Sequence, residues 1–153
     1  MSVTNPTVFV VEDDPEMRES FTALFTSQGL AVETFSSGEE FLTHCDSSRP
    51  GCMVADFRLQ GINGIDLHRL LTETGCTLPV ILISGYLNVR SAVKAVQQGM
   101  FRVLEKPYQE DELLSAVREA IEENRRSRPM KTYRMDFAHR LQTLDARERL
   151  TLE

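Results

Sequence analysis

Residues 7–14 read Thr7-Val8-Phe9-Val10-Val11-Glu12-Asp13-Asp14. An unbroken run rich in β-branched residues, ending abruptly in three carboxylates, predicts a strand covered on both faces, as strands of a parallel sheet are. The next apolar residues, Met17, Phe21, Leu24 and Phe25, are spaced i, i+4, i+7 and i+8 and share one helical face. Pro15 falls just inside that helix, where its missing N–H costs nothing, and Gly29 ends it.

The same strand-then-helix pattern recurs down the chain. A second strand is predicted over Ala31 to Phe35. Ser37 then caps a helix reaching about Cys45, with Glu40 as its capping-box partner. Cys52-Met53-Val54-Ala55 forms a third run that ends at Asp56. The loop Gln60-Gly61-Ile62-Asn63-Gly64 leads to a helix carrying Ile65, Leu67, Leu70 and Leu71. Pro79-Val80-Ile81-Leu82-Ile83 is the fourth strand and ends at Ser84-Gly85. Val89, Ala92, Val93 and Val96 line one face of a helix over 88–98, which Gly99 stops. Phe101-Arg102-Val103-Leu104 is a short fifth strand ending at Glu105-Lys106-Pro107, and Leu113, Leu114, Val117, Ala120 and Ile121 mark a last helix. Five such alternations predict an α/β fold: a five-stranded parallel sheet, doubly wound and flavodoxin-like, with helices on both faces. Ligands of such sheets gather at the carboxyl ends of the strands.

Composition narrows the class. The chain has 153 residues, 41% hydrophobic and 26% charged, with a net charge of −6. Residues 124–153 carry eight Lys/Arg against four Asp/Glu, which leaves nine against nineteen in residues 1–123. An acidic body repels nucleic-acid phosphates. No apolar run approaches the roughly 20 residues of a membrane span, and Met1 to Asn5 lack a signal-peptide pattern. A cytoplasmic location and no membrane partner are expected. The cysteines, Cys45, Cys52 and Cys76, are odd in number and lack a C-x-x-C, so reduced thiols are expected rather than a disulfide framework or a zinc site. Two expected domains follow: residues 1–124, then a basic helical linker over 125–153 that is interrupted at Pro129. Met130, Phe137 and Leu144, with Leu141 between them, allow either a weak dimer seam or a solvated amphipathic helix.

The strand ends carry the chemistry. The first delivers Glu12, Asp13 and Asp14, the third Asp56, the fourth Ser84 and the fifth Lys106. A lone Asp after a strand is more often a cap or turn former; a lone Lys is more often a salt-bridge partner, and a lone Ser a cap. Together they converge on one edge. Crowded carboxylates repel and raise one another's pKa unless a cation intervenes. Mg²⁺, or Mn²⁺ in its place, fits because it takes one or two carboxylates, keeps waters and binds phosphate oxygens. Asp56 can then attack a phosphoryl group to give an acyl phosphate. Lys106 supplies positive charge to the transferring group, and Ser84 a hydroxyl.

These residues resemble the receiver domains of two-component response regulators. The matching motifs are Val10-Val11-Glu12-Asp13-Asp14, Ala55-Asp56-Phe57-Arg58-Leu59 with Gly61 and Gly64, Ile83-Ser84-Gly85, and Leu104-Glu105-Lys106-Pro107. The resemblance covers roughly residues 6–124 and is closest to the FixJ/NarL type, which Ser84-Gly85-Tyr86 and Leu104-Glu105-Lys106-Pro107-Tyr108 also fit. It implies phosphorylation of Asp56 by a sensor histidine kinase. It further implies Mg²⁺ ligation by Asp13, Asp56 and the backbone carbonyl of Arg58, with Glu12 acting through water. Lys106 would contact the phosphoryl group, Ser84 would be the switch hydroxyl, and Arg58 and Tyr86 would tune dephosphorylation. Homodimerisation on phosphorylation, through the surface of helix 88–98 and strand 101–104, is implied as well.

Leu144-Asp145-Ala146-Arg147-Glu148-Arg149 looks like the opening of a helix-turn-helix output domain, absent here through truncation or natural loss. DNA would be read only through that domain. Three residues depart from the family's usual choice. Glu12 stands for Asp, Ser84 for Thr, and Val103 for an aromatic switch residue, with Phe101 expected on the same strand face. Against a phosphohydrolase, Arg58 stands where such enzymes carry a second Asp. Against an inert interaction module stands the intact set Asp13, Asp56, Ser84 and Lys106. No phosphate-binding glycine motif supports a nucleotide enzyme.

Overall fold

The unbroken apolar runs form the sheet. The computed structural model describes residues 5–45, 49–59, 61–85 and 89–142, with side chains for all of these except 89, 91, 92 and 127–142. Strands and helices alternate as β1 (Thr7–Val11), α1 (Pro15–Ser27), β2 (Ala31–Phe35), α2 (Gly38–His44) and β3 (Gly51–Asp56). They continue as α3 (Gly64–Glu73), β4 (Val80–Ser84), α4 (Val89–Gln97), β5 (Arg102–Glu105) and α5 (Glu110–Gln142). The strand order is β2-β1-β3-β4-β5 and every pairing is parallel. The chain steps from β1 outward to β2, then back across β1 to β3. That reversal leaves a crevice at the carboxyl ends of β1 and β3, where ligands of open α/β sheets bind.

Side chains two apart on a strand share a face, which divides the core in two. Val8, Val10, Cys52, Val54, Ile81, Ile83 and Leu104 pack with Phe21 and Phe25 of α1 and with Leu113, Val117 and Ala120 of α5. Phe9, Val11, Met53, Ala55, Val80 and Leu82 pack with Phe41 of α2, Leu67 and Leu71 of α3, and Ala95 of α4. Burying a side chain the size of Phe25, which is fully buried, stabilises the fold by about 2–3 kcal/mol. Among the described residues no helix is long and apolar enough to cross a membrane.

Caps and turns follow local chemistry, with small shifts from expectation. Asp14 caps α1 through Glu16 N at 2.9 Å, and Gly29 closes that helix at φ 78°. Ser37 caps α2 through Glu40 N at 3.0 Å. The Glu40 carboxylate, however, reaches back to the amide and hydroxyl of Ser36 rather than to Ser37. The fourth and fifth strands each sit one residue later than the apolar runs suggest.

The structure orients one helix and corrects two expectations. In α4, Ala95 is buried while Val93 and Val96 are 47% and 61% exposed, so these two valines turn away from the core. Phe101 precedes β5 and packs with the α1–α5 core, whereas Val103 packs with the other. The strand alternation that would put them on one face does not extend back to Phe101. Finally, α5 runs through Pro129 without the expected break. A proline forfeits one hydrogen bond and strains the preceding turn, a cost of roughly 3 kcal/mol, and the helix-forming Glu, Arg and Met residues around it carry the helix across. The side chains of Met130, Phe137 and Leu141 lie outside those described, and Leu144 lies outside the described residues.

Gly51 begins β3 at φ 144°, and a Cβ there would fall 1.9 Å from the Thr7 carbonyl oxygen. Its amide is met by the Asn124 side chain, whose Oδ1 accepts at 3.0 Å. Asn124 is 1% exposed, so this bond ties α5 to the start of the strand that ends in Asp56. Asn124→Ala leaves a buried amide unmet and should cost about 1–3 kcal/mol. Urea unfolding should show a lower midpoint with an unchanged slope; an unshifted midpoint would mean that the bond contributes nothing.

Candidate functional site

Parallel pairing brings the carboxyl ends of β1, β3, β4 and β5 to one rim. Asp56, the last residue of β3, pairs with Ile83, and its neighbour Phe57 donates its amide to the Ile83 carbonyl at 2.7 Å. Ser84 is therefore the next residue along β4. It is 1% exposed, and its carbonyl accepts the Lys106 amide at 2.8 Å. Lys106 precedes Pro107 through a cis peptide bond.

The Lys106 ammonium donates to Asp56 Oδ2 at 2.9 Å. The other oxygen, Oδ1, accepts the Arg58 amide at 2.8 Å, which aims the carboxylate along the rim. The Asp56 side chain is 11% exposed and that of Lys106 36%, so the pair sits at the mouth of the crevice. Burial pulls the Lys106 ammonium down, but its hydrogen bond to Asp56 and the charges of Asp56 and Glu12 outweigh this and hold it above its ordinary value. Lys106 is thus a fixed cation.

Glu12 is 4% exposed. Burial, with the neighbouring Asp56 charge and the Asp13 carboxyl, pushes its pKa up from 4.5 to about 7, against the Asp14 amide and the Lys106 charge. The Asp14 amide donates to Glu12 Oε2 at 3.1 Å, and Arg18 of α1 donates to the Glu12 carbonyl at 2.7 Å. Asp14 itself serves as the α1 cap. Glu12, Asp13, Asp56, Ser84 and Lys106 thus share one rim, and Arg58 stands exposed beside it. Tyr86 lies outside the described residues.

Among the described residues no three His, Cys, Asp or Glu side chains close into a metal cage. A hard divalent ion that keeps its waters needs only one or two carboxylates. The charge crowding at Glu12 is the condition that such an ion relieves, so the donor set fits one.

Sequence reading missed two supports of the rim. One is Arg18, which holds the acidic turn. The other is Glu39 of α2, whose Oε2 accepts the Ile62 amide at 3.3 Å in the loop after β3. Gly61, at φ 81°, lies against that carboxylate, which a Cβ would approach to 2.5 Å. A carboxylate 23 positions away has no sequence signal; only the glycine hinted at a close approach. Gly64 plays a similar part behind the site, where a Cβ would meet the Asp56 carbonyl oxygen at 2.9 Å.

Fold and rim define a doubly wound α/β domain with an acidic pocket and a fixed ammonium at its carboxyl edge. A family model for the response regulator receiver domain matches residues 8–118, and the chain belongs to that family. The transcriptional regulatory protein TdiR of Thauera aromatica is 39% identical over 142 residues, which is 93% of this chain and 63% of that protein. The chain therefore spans less than two thirds of that relative. The transcriptional regulatory protein FixJ of Bradyrhizobium diazoefficiens is 31% identical over 146 residues, 95% of this chain and 71% of that one, in keeping with the FixJ/NarL-type resemblance. Among solved structures, the response regulator StyR superposes with a TM-score of 0.81 at 34% identity, covering 92% of this chain and 70% of that chain. These relatives are regulators of transcription or signalling by name.

A raised carboxyl pKa makes stability depend on pH. Between pH 4.5 and about 7 the folded chain retains a proton on Glu12 that the unfolded chain has released, so the contribution of Glu12 to stability is fully present below pH 4.5 and is lost as pH rises through about 7. Without metal, in a chelating buffer, the wild-type chain should lose on the order of 2–3 kcal/mol more across that window than Glu12→Gln. Denaturant titrations at several pH values measure the difference; parallel curves would show that the crowding is absent.

Proposed function

We propose that this chain is the phosphorylation switch of a two-component system, taking a phosphoryl group from a sensor histidine kinase onto Asp56. The observation that carries the reading is the Asp56 carboxylate, held at the rim by Lys106 Nζ at 2.9 Å and the Arg58 amide at 2.8 Å, beside the acidic turn of β1. A carboxylate oxygen of Asp56 attacks phosphorus. The P–N bond to the donor imidazole breaks, and an acyl phosphate forms as the imidazole departs with the electron pair. Lys106, an ammonium already in place, moves its contact from the carboxylate to the incoming phosphoryl oxygens. Such preorganised charge is what phosphoryl transfer needs, since negative charge spreads over those oxygens.

Mg²⁺ would be held by Asp13, Asp56 and the Arg58 carbonyl, with Glu12 through water, and supplies the charge that lets these carboxylates and a phosphoryl group share one pocket. Hydrolysis of the acyl phosphate is slow self-dephosphorylation, tuned by Arg58 and Tyr86, rather than turnover of a free substrate. Ser84, buried beside the site, serves as the switch hydroxyl that a new phosphoryl group draws inward. Its movement shifts the population of the α4 and β5 surface, where Val103 stands half-buried in place of an aromatic ring. That surface already exposes Val93 and Val96 and the cations Arg90 and Lys94, a composition suited to a second copy of the domain. Residues 1–124 form the receiver and 125–153 the linker toward a DNA-binding output domain, in a cytoplasmic protein.

Incubation with acetyl phosphate and Mg²⁺ should add one phosphate to the intact mass of the wild-type chain and none to Asp56→Asn. Failure of the wild-type chain to gain mass with any donor would rule the switch out. With beryllofluoride and Mg²⁺, sedimentation should show a monomer becoming a dimer, and Val96→Asp should keep it monomeric. A wild-type chain that stays monomeric would remove the dimerisation proposal while leaving phosphorylation intact.

A further inference from the structure

The three cysteines divide between the two faces of the sheet. Cys52 is fully buried in β3, on the side covered by α1 and α5. Burial pushes its thiol up to about 12, so almost none is thiolate, the reactive form, at neutral pH. Cys45, which caps the C-terminal end of α2, and Cys76, which follows α3, belong to the opposite face. Both line one cavity of about 330 Å³, together with Leu42, Leu70 and Thr74. Cys45 is half-buried there and Cys76 is 7% exposed. Chain proximity would pair Cys45 with Cys52, seven positions on, but the strand turns Cys52 to the other face. The fold instead presents Cys45 with Cys76, 31 positions on.

We propose that Cys45 and Cys76 form a redox-responsive dithiol that closes to a disulfide on reaction with a low-molecular-weight disulfide of the glutathione class. The Cys45 thiolate, the more accessible, attacks one sulfur of the reagent; the reagent's S–S bond breaks and one small thiol leaves. Cys76 then attacks the Cys45 sulfur, the mixed disulfide breaks, and the second small thiol leaves. The cysteine pair is oxidised by two electrons and the reagent is reduced by two. The two cysteine protons end on the two departing thiols. Both side chains border the same empty volume, and closure asks them to turn across it toward the geometry an S–S bond requires. In a reducing compartment such a bond is transient, as befits a sensor.

The bond would tie the C-terminal end of α2 to the segment joining α3 and β4. Because α2 carries Glu39, which braces the loop after Asp56 through Ile62, oxidation restrains the helix that supports that loop.

The folded chain is treated with excess oxidised glutathione, quenched by alkylation and mapped as non-reduced peptides. A cross-link between the Cys45 and Cys76 peptides is expected, with Cys52 alkylated only after denaturation. In the urea-unfolded chain the same reagent should favour Cys45 with Cys52, whose loop is shorter. In Cys76→Ser, glutathione should remain on Cys45. Should that variant fail to fold, the wild-type map decides alone. Glutathione persisting on Cys45 beside an intact Cys76 in the folded wild-type chain would overturn the proposal. So would a Cys45–Cys52 bond there, or a bond between two chains.

Discussion

Negative charge crowded at the carboxyl edge of a parallel sheet is the constraint around which this molecule is arranged. All five strands point the same way, so the residues that follow them arrive at one rim. Were β5 antiparallel, Lys106 would stand a strand's length away, roughly 15 Å or more, and Asp56 would face Glu12 with no fixed cation between them. The Lys106–Asp56 bond at 2.9 Å answers part of that repulsion. The rest remains on Glu12, a buried carboxyl pushed up to about 7. A site in this condition is primed for added positive charge and for a group that can use it.

The two faces of the sheet are fastened differently. On the α1–α5 side, Asn124 bonds Gly51, Arg102 pairs with Glu119, and Arg118 reaches Gln28 at 2.8 Å. Phe21 and Phe25 lie there with their rings stacked, 6.0 Å between centroids. The opposite side holds the cavity between α2 and α3 and the outward valines of α4. β3 and β4, which end in Asp56 and Ser84 at the rim, carry side chains into both cores. That face has ties of its own: Arg49 lies over the Phe9 ring and pairs with Glu33, and Phe9, Phe35 and Phe41 meet edge-on, while Val93 and Val96 stand exposed on α4.

Individual substitutions fit this division. Val103 packs into the α4-side core, where it fills space that a larger ring would have to enter and leave. Phe101 does not take over that role, because it packs on the other face and its ring lies beneath the Arg102 guanidinium. Neither position therefore offers an aromatic ring at the α4-side end of β5.

The element order, the sheet class and the rim residues Glu12, Asp13, Asp56, Ser84 and Lys106 were legible in the sequence. They rest on local patterns: unbroken apolar runs, helical spacing, and a polar residue immediately after each run. What the sequence left open depends on the orientation of one element against another. The outward turn of Val93 and Val96, the separation of Phe101 from Val103, and the reach of Glu39 to Ile62 and of Asn124 to Gly51 were decided only by tertiary packing. The grouping of Cys45 with Cys76 on one face, and of Cys52 on the other, was decided in the same way. A helical face or a strand parity says which residues stand together on one element; only the docked core says which neighbour they meet.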